Sequence, residues 1–234
     1  MKIENYQNRL VMVNDNFANL EKIVEKNKFN NVSGFLLDLG ISSWHFDQSQ
    51  RGFSFAKNEP LDMRVGKTDL TAREIVNDWP EEKIRKILED YSQERFARKI
   101  AQAVCRQREI GPIETTLQLV EIIKRAVPRF YERGRIHQAT RTFLALRIAV
   151  NDELGNLSRV LPQTLKILEP SGRLAVISFN SREDKIVKNF LKEEAQKDNL
   201  EILTKKPVRP SAEEIVFNPR ARSGKLRAAK KTNQ

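Results

Sequence analysis

At 234 residues, with 39% hydrophobic and 31% charged residues, the chain is long enough to bury one sizeable core and too apolar to be disordered. No apolar run approaches the roughly 18 residues of a membrane span, and the start MKIENYQNRL has no signal-peptide core. The single Cys105 excludes an internal disulfide and a cysteine-based zinc site, and His45 and His137 alone leave little for a metal cluster, so no metal is expected and the chain reads as cytoplasmic.

The net charge of +11 favours an acidic partner such as nucleic acid. It is unevenly spread: residues Thr204 to Gln234 hold nine Lys/Arg against two Glu, whereas Met1 to Gln50 hold five against six. A basic tail can be a solvated end, but apolar residues interleave this one (EEIVFNPRARSGKLRAA), which points to a partly folded, RNA-facing element.

In chain order, RLVMVND (Arg9 to Asp15) predicts a short strand, and FANLEKIVEKN predicts a helix with Leu20, Ile23 and Val24 on one side. VSGFLLDL is a continuous apolar run of the kind buried on both faces of a parallel sheet. From Leu70 to Arg135 the periodicity is helical only: TAREIVNDW, PEEKIRKILEDY with Pro80 at a helix start, QERFARKIAQAVCRQRE and TTLQLVEIIKRAV. ATRTFLALRIAVNDELGNLSRVL carries apolar residues at steps of three and four and predicts one long helix. LKILEPSG reads as a helix end closed by Pro and Gly. It is followed by strands at SGRLAVISF (Ser171 to Phe179), LEILTKK (Leu200 to Lys206) and SGKLRAA. Strands alternating with helices predict an α/β fold with a mainly parallel sheet, carrying a helical insertion.

The stretch GFLLDLGISSWHFDQSQRGFSF (Gly34 to Phe55) asks for more than a core. Ligands of open parallel sheets bind beyond the carboxyl ends of the strands, where Asp38 stands, followed by Gly40, Ser42 and Ser43. Asp38 can accept hydrogen bonds from a ligand amine or hydroxyl, or it can cap the following turn. Trp44 is the expected base-stacking ring, while Phe53 and Phe55, flanking Ser54, are expected to pack.

Together, FLLDLGISS, RGFSF, PLDMR, ERFARKIA, ATRTFLALRIAVNDEL, GRLAVISFNSREDKIVK and NPRARSGKLR resemble the MraW/RsmH family of bacterial S-adenosylmethionine-dependent methyltransferases. The motifs follow the family's order from about Arg9 to Lys230. The resemblance implies a Rossmann-like class I methyltransferase acting on N4 of a cytidine in the decoding centre of small-subunit (16S) ribosomal RNA, with that RNA or the 30S particle as partner. It implies methyltransferase regions at residues 1–69 and 136–234 around an RNA-recognising helical insertion at 70–135. It implies S-adenosyl-L-methionine contacts at Phe17, Asp38 and His45, and substrate contacts at Trp44, Arg141 and Asn180. Asp38, Ser42 and Ser43 are the candidates for orienting the reacting groups, with no general base assigned.

This chain departs from the family pattern at three places. SSWHFD replaces the usual SSPQLD, so His45 stands where a glutamine is expected, and ISFNSRED replaces ISFHSLED, so Asn180 stands where a histidine is expected. The nine glycines are never closer than six apart, so they build no glycine-rich cofactor turn. The family's first βαβ unit is expected to be missing, with RLVMVND matching the third strand and the two central strands lost. An RNA cytosine-N4 methyltransferase and a truncated RNA-binding homologue without cofactor binding are the two readings, and a DNA or protein methyltransferase is disfavoured by the ordered motifs.

Overall fold

A computed structural model describes residues 9–128, 131 and 136–233. In chain order its elements are α1 (Leu20–Lys26), β1 (Val32–Asp38), α2 (Ser43–Asp47), α3 (Ala72–Asp78), α4 (Glu81–Ser92), α5 (Ala97–Ile110), α6 (Thr116–Ala126), α7 (Thr140–Asn151), α8 (Glu153–Ile167), β2 (Leu168–Ser178), α9 (Ser181–Gln196), β3 (Leu200–Ile202), α10 (Ala212–Phe217) and β4 (Lys225–Lys231). Short 3-10 turns at Phe17–Asn19 and Pro219–Ser223 precede α1 and β4. The chain divides into two compact units, one formed by residues 1–39 and 155–234, the other by residues 40–154. The end of the expected helical stretch, at 132–135, lies outside the described residues.

The first unit is a four-stranded sheet in the order β1-β2-β4-β3. β1 pairs parallel to β2, while β4 runs antiparallel to both β2 and β3. Three strands therefore share one direction and β4 alone is reversed, a mixed sheet within the expected α/β class. Leu157, Val160 and Leu161 of α8, Val187 and Leu191 of α9, and Leu174 and Val176 of β2 form its core. Asn180 caps α9 by accepting from the Arg182 and Glu183 backbone N–H groups, and the Glu183 carboxylate accepts from the Asn180 N–H to complete a capping box.

Several sequence expectations change here. RLVMVND forms no strand: Leu10, Val11, Met12 and Val13 are exposed, because no described strand lies beside them to pair with their backbone. β1 is not buried on both faces. It is an edge strand among the described residues, and Leu36 is 65% exposed. EPSG does not separate helix from strand but lies within β2, where the register with β1 shifts between Val32 and Gly34 and Ser171 takes a positive φ of 65°. A Cβ at Gly172 would stand 2.9 Å from the Glu169 carbonyl oxygen, so this bulge requires glycine. β3 is only three residues long, shorter than the expected Leu200 to Lys206.

The expected long helix is two helices. Asp152 adopts a left-handed conformation (φ 45°, ψ 42°) and ends α7, and α8 starts at the next residue. Aspartate tolerates this conformation better than most residues, and the apolar spacing continues on both sides, so periodicity alone does not reveal the break.

The second unit is helical. α4 lies against α5 and α7, and α5 against α6, around Ile75, Ile84, Leu88, Ile100, Leu119, Ile123 and Leu146. α3 and α6 begin with capping boxes, Thr71 with Glu74 and Thr115 with Gln118. The RGFSF and PLDMR motifs are tied together by backbone: Met63 N–H donates to the Arg51 carbonyl at 2.7 Å, and the Arg51 guanidinium donates to the Arg64 carbonyl at 3.0 Å. Asn151 holds the same loop, donating to the Met63 carbonyl and accepting from Val65 N–H, both at 2.8 Å. No helix among the described residues is long and apolar enough to cross a membrane.

Candidate active site

In the first unit, the sheet delivers polar groups to the carboxyl ends of the parallel pair β1 and β2. The Leu39 N–H donates to the Ile177 carbonyl at 2.9 Å, which fixes the end of β1 and leaves the preceding Asp38 side chain exposed. In β2, Ser178 is buried and donates to the Lys225 carbonyl at 3.3 Å. Two residues on, the cap occupies the Oδ1 atom of Asn180. Its Nδ2 is sheltered from solvent and meets no acceptor among the described residues. An Asn side chain carries two such donor hydrogens, so this group is chemically free to bind a carbonyl.

Behind this edge, Arg227 of β4 grips Asp184 of α9, with Nε 2.7 Å and Nη2 3.3 Å from the two carboxylate oxygens and Lys225 Nζ at 3.8 Å. Burial raises the Asp184 carboxyl, but the hydrogen bond and charge of Arg227, with Lys225, outweigh it and hold the pKa below the usual carboxylate value. This pair was not singled out from the sequence, although Asp184 falls in SREDK and Arg227 in SGKLR. Phe17, in the turn before α1, is 40% exposed. The turn is docked on α8, where the Gln163 amide donates to the Ala18 carbonyl at 2.8 Å and accepts from Glu21 N–H at 2.9 Å.

In the second unit, Ser42, Ser43, Trp44 and His45 come together at the start of α2. Ser42 Oγ lies 2.9 Å from His45 Nδ1, and the His45 ring stands edge-on to both Trp44 and Phe53 at 5.3 Å. Burial, opposed by a hydrogen bond to the Ser42 backbone and assisted by the charges of Arg51 and Arg147, lowers the His45 pKa. The imidazole is therefore neutral at pH 7 and can donate or accept. Trp44 is 48% exposed, whereas Phe53 is buried and Phe55 stacks on His137 at 4.6 Å. Arg141 is away from this group in the hydrogen-bond pattern, donating to the Gln93 carbonyl at 2.9 Å.

The acceptors present suit part of S-adenosylmethionine: the exposed carboxylate of Asp38 suits an amine or ribose hydroxyl, and the exposed Phe17 ring suits a heteroaromatic face. A glycine cradle is not among the described residues. Among the described glycines only Gly40 and Gly52 have positive φ, and a Cβ at Gly52 would stand 2.3 Å from the Pro60 carbonyl oxygen, so that space is filled by the protein's own backbone. These residues fit polar groups of the molecule but do not complete a site for it. Among the described residues, no group of three or more His, Cys, Asp or Glu could hold a metal.

Comparison with known proteins extends across the same motifs. The chain is 44% identical over 247 residues to the ribosomal RNA small subunit methyltransferase H of Heliobacterium modesticaldum, covering 98% of this chain and 79% of that protein. Identity to the protein of the same name from Geobacter sulfurreducens is 47% over 232 residues, covering 92% and 75%. For Halothermothrix orenii it is 45% over 235 residues, covering 94% and 76%. Residues 1–232 match the model of the MraW methylase family. The chain therefore belongs to the MraW methylase family, whose methyl donor is S-adenosyl-L-methionine.

Proposed function

We propose that the protein methylates N4 of a cytidine in the decoding centre of small-subunit ribosomal RNA. The observation that carries this reading is the match to the family over residues 1–232, joined to relatives at 44–47% identity that are named as small-subunit ribosomal RNA methyltransferases. S-adenosyl-L-methionine supplies an electrophilic methyl group when bound.

The cytosine amino nitrogen is a weak nucleophile because its lone pair is conjugated with the ring. Such a reaction depends on alignment and on acceptors for the N–H groups as positive charge develops. Asp38 is the proposed acceptor at the end of β1, with Ser42 and Ser43 as further candidates for orienting the reacting groups. Phe17, Asp38 and His45 are proposed cofactor contacts. Trp44, Arg141 and Asn180 are proposed substrate contacts, Trp44 by stacking on an unstacked base and Asn180 by its unused amide hydrogens. Residues 70–135 are proposed to contribute RNA recognition.

A second reading, an RNA-binding homologue that does not hold the methyl donor, is favoured by the missing glycine cradle among the described residues. One experiment separates the two. Small-subunit particles lacking the modification are incubated with the purified protein and methyl-labelled donor, and the RNA is digested to nucleosides. Label in N4-methylcytidine supports the first reading. Label in another nucleoside or in protein overturns it, and RNA binding with no donor binding by calorimetry establishes the second.

A further inference from the structure

Within the helical unit, a solvent-open groove runs between α5 and the carboxyl end of α6. On α5 it is lined by Lys99, Gln102, Ala103 and Arg106, spaced three, one and three residues apart and hence on one stripe of the helix. Gln107 and Ile110 farther along α5, with Arg125 and Ala126 of α6, complete it. This stripe is distinct from the one that packs: Ala97, Ile100, Ala101 and Val104 are buried, while Lys99 and Arg106 are exposed.

An exposed helical face ordinarily mixes its charges. α4, in the same unit, does so, with Arg85 2.8 Å from Glu82 and 4.0 Å from Glu89. The α5 groove does not. No carboxylate lines it, and Lys99, Arg106 and Arg125 form no ion pair among the described residues. Arg106 leans only on its own helix, its Nε donating to the Gln102 carbonyl at 3.3 Å. Three cations gathered without an acid repel one another, a cost that an anionic occupant removes. The methyl groups of Ala103 and Ala126 keep the floor low, so a slim chain can reach both helices, and Gln102 offers both a donor and an acceptor.

We propose that this groove binds the sugar–phosphate backbone of single-stranded RNA, with Lys99, Arg106 and Arg125 on phosphates and Gln102 on a ribose hydroxyl or base edge. Lys99 and Arg106 stand seven residues apart on α5, about 10 Å at the helical rise, a separation that suits contacts to different phosphates of one strand. The inference rests on the reading of the protein as an RNA methyltransferase, but it concerns binding rather than methyl transfer.

The test uses the full chain and a fluorescein-labelled single-stranded oligoribonucleotide from small-subunit ribosomal RNA, with binding followed by anisotropy across a salt series. The triple variant Lys99→Ala/Arg106→Ala/Arg125→Ala is compared with Lys22→Ala/Lys67→Ala/Lys192→Ala, which removes the same charge from exposed positions outside residues 70–135, both being checked for folding by circular dichroism. The groove variant is expected to bind about tenfold more weakly or worse at low salt, with the slope of log affinity on log salt reduced by about 2, the release expected for three phosphate contacts to a single strand. The control variant should lose much less. Equal losses in the two variants, or no binding by the parent chain, overturn the proposal. So does a groove variant that keeps its RNA affinity but loses affinity for a labelled oligoglutamate peptide, since the groove would then dock an acidic protein segment. Methyl incorporation measured in parallel keeps the two readings apart: a parent that binds RNA through the groove but transfers no methyl group fails as an enzyme while the groove assignment stands.

Discussion

The Asn180 side chain accepts the Glu183 N–H at 2.9 Å, while the Glu183 carboxylate accepts the Asn180 N–H at 3.2 Å. This reciprocal pair starts α9 at the end of β2 and leaves the Asn180 Nδ2 hydrogens without an acceptor among the described residues. Two substitutions separate its structural and chemical roles. Asn180→Asp keeps the capping oxygen, so thermal unfolding should stay near that of the parent while methyl transfer to small-subunit particles falls. Asn180→Ala removes both and should also cost about 1 kcal/mol of stability. An active Asn180→Asp protein would make this residue a cap only.

The Asp184–Arg227 pair predicts an acid sensitivity. Its folded-state carboxyl pKa is depressed, so the stability it contributes is present above the ordinary value of 3.8 and is lost as pH falls through the lower folded value. Asp184→Asn leaves the nearly buried Arg227 without its counter-charge and should destabilise the protein by about 3 kcal/mol, and the remaining stability should vary less with pH in that acid range. Denaturant titrations of both proteins between neutral and acid pH measure the two effects.

Asp38 and Leu37 are neighbours with opposite surroundings, one exposed at the strand end and the other packed against the sheet core. Asp38→Asn should leave the melting temperature unchanged and lower methyl transfer by about tenfold or more, equivalent to at least about 1.4 kcal/mol of transition-state stabilisation. Leu37→Asn places an unpartnered amide against the core and should chiefly lower the melting temperature. Activity and unfolding measured on the same preparations decide whether Asp38 is chemical or structural.

His45 should titrate below its ordinary value of 6.5, as read from its imidazole proton shifts by NMR. For a base with a depressed folded pKa, the stabilisation is complete above 6.5 and is lost as pH falls through the folded value. Replacing His45 by glutamine, the residue expected at this position from the family pattern, should remove that part of the acid sensitivity while keeping a hydrogen-bonding group.

The α/β class, the positions of most helices and the family were legible in the chain alone, because apolar periodicity and ordered motifs are local signals. Other features depended on neighbours distant in the chain. Whether RLVMVND forms a strand depends on a partner for its backbone, and whether β1 is covered depends on what packs against it, so an apolar run alone decided neither. The break at Asp152 is a single left-handed residue inside an uninterrupted apolar pattern, stabilised by contacts that join Asn151 to the Met63 loop. In the candidate site, the residue types at Asp38 and Asn180 were legible, but not the exposure of one or the unused amide of the other. The gathering of Lys99, Arg106 and Arg125 was likewise a tertiary outcome, since the first two share a helical stripe and the third reaches them only because α6 folds back beside α5.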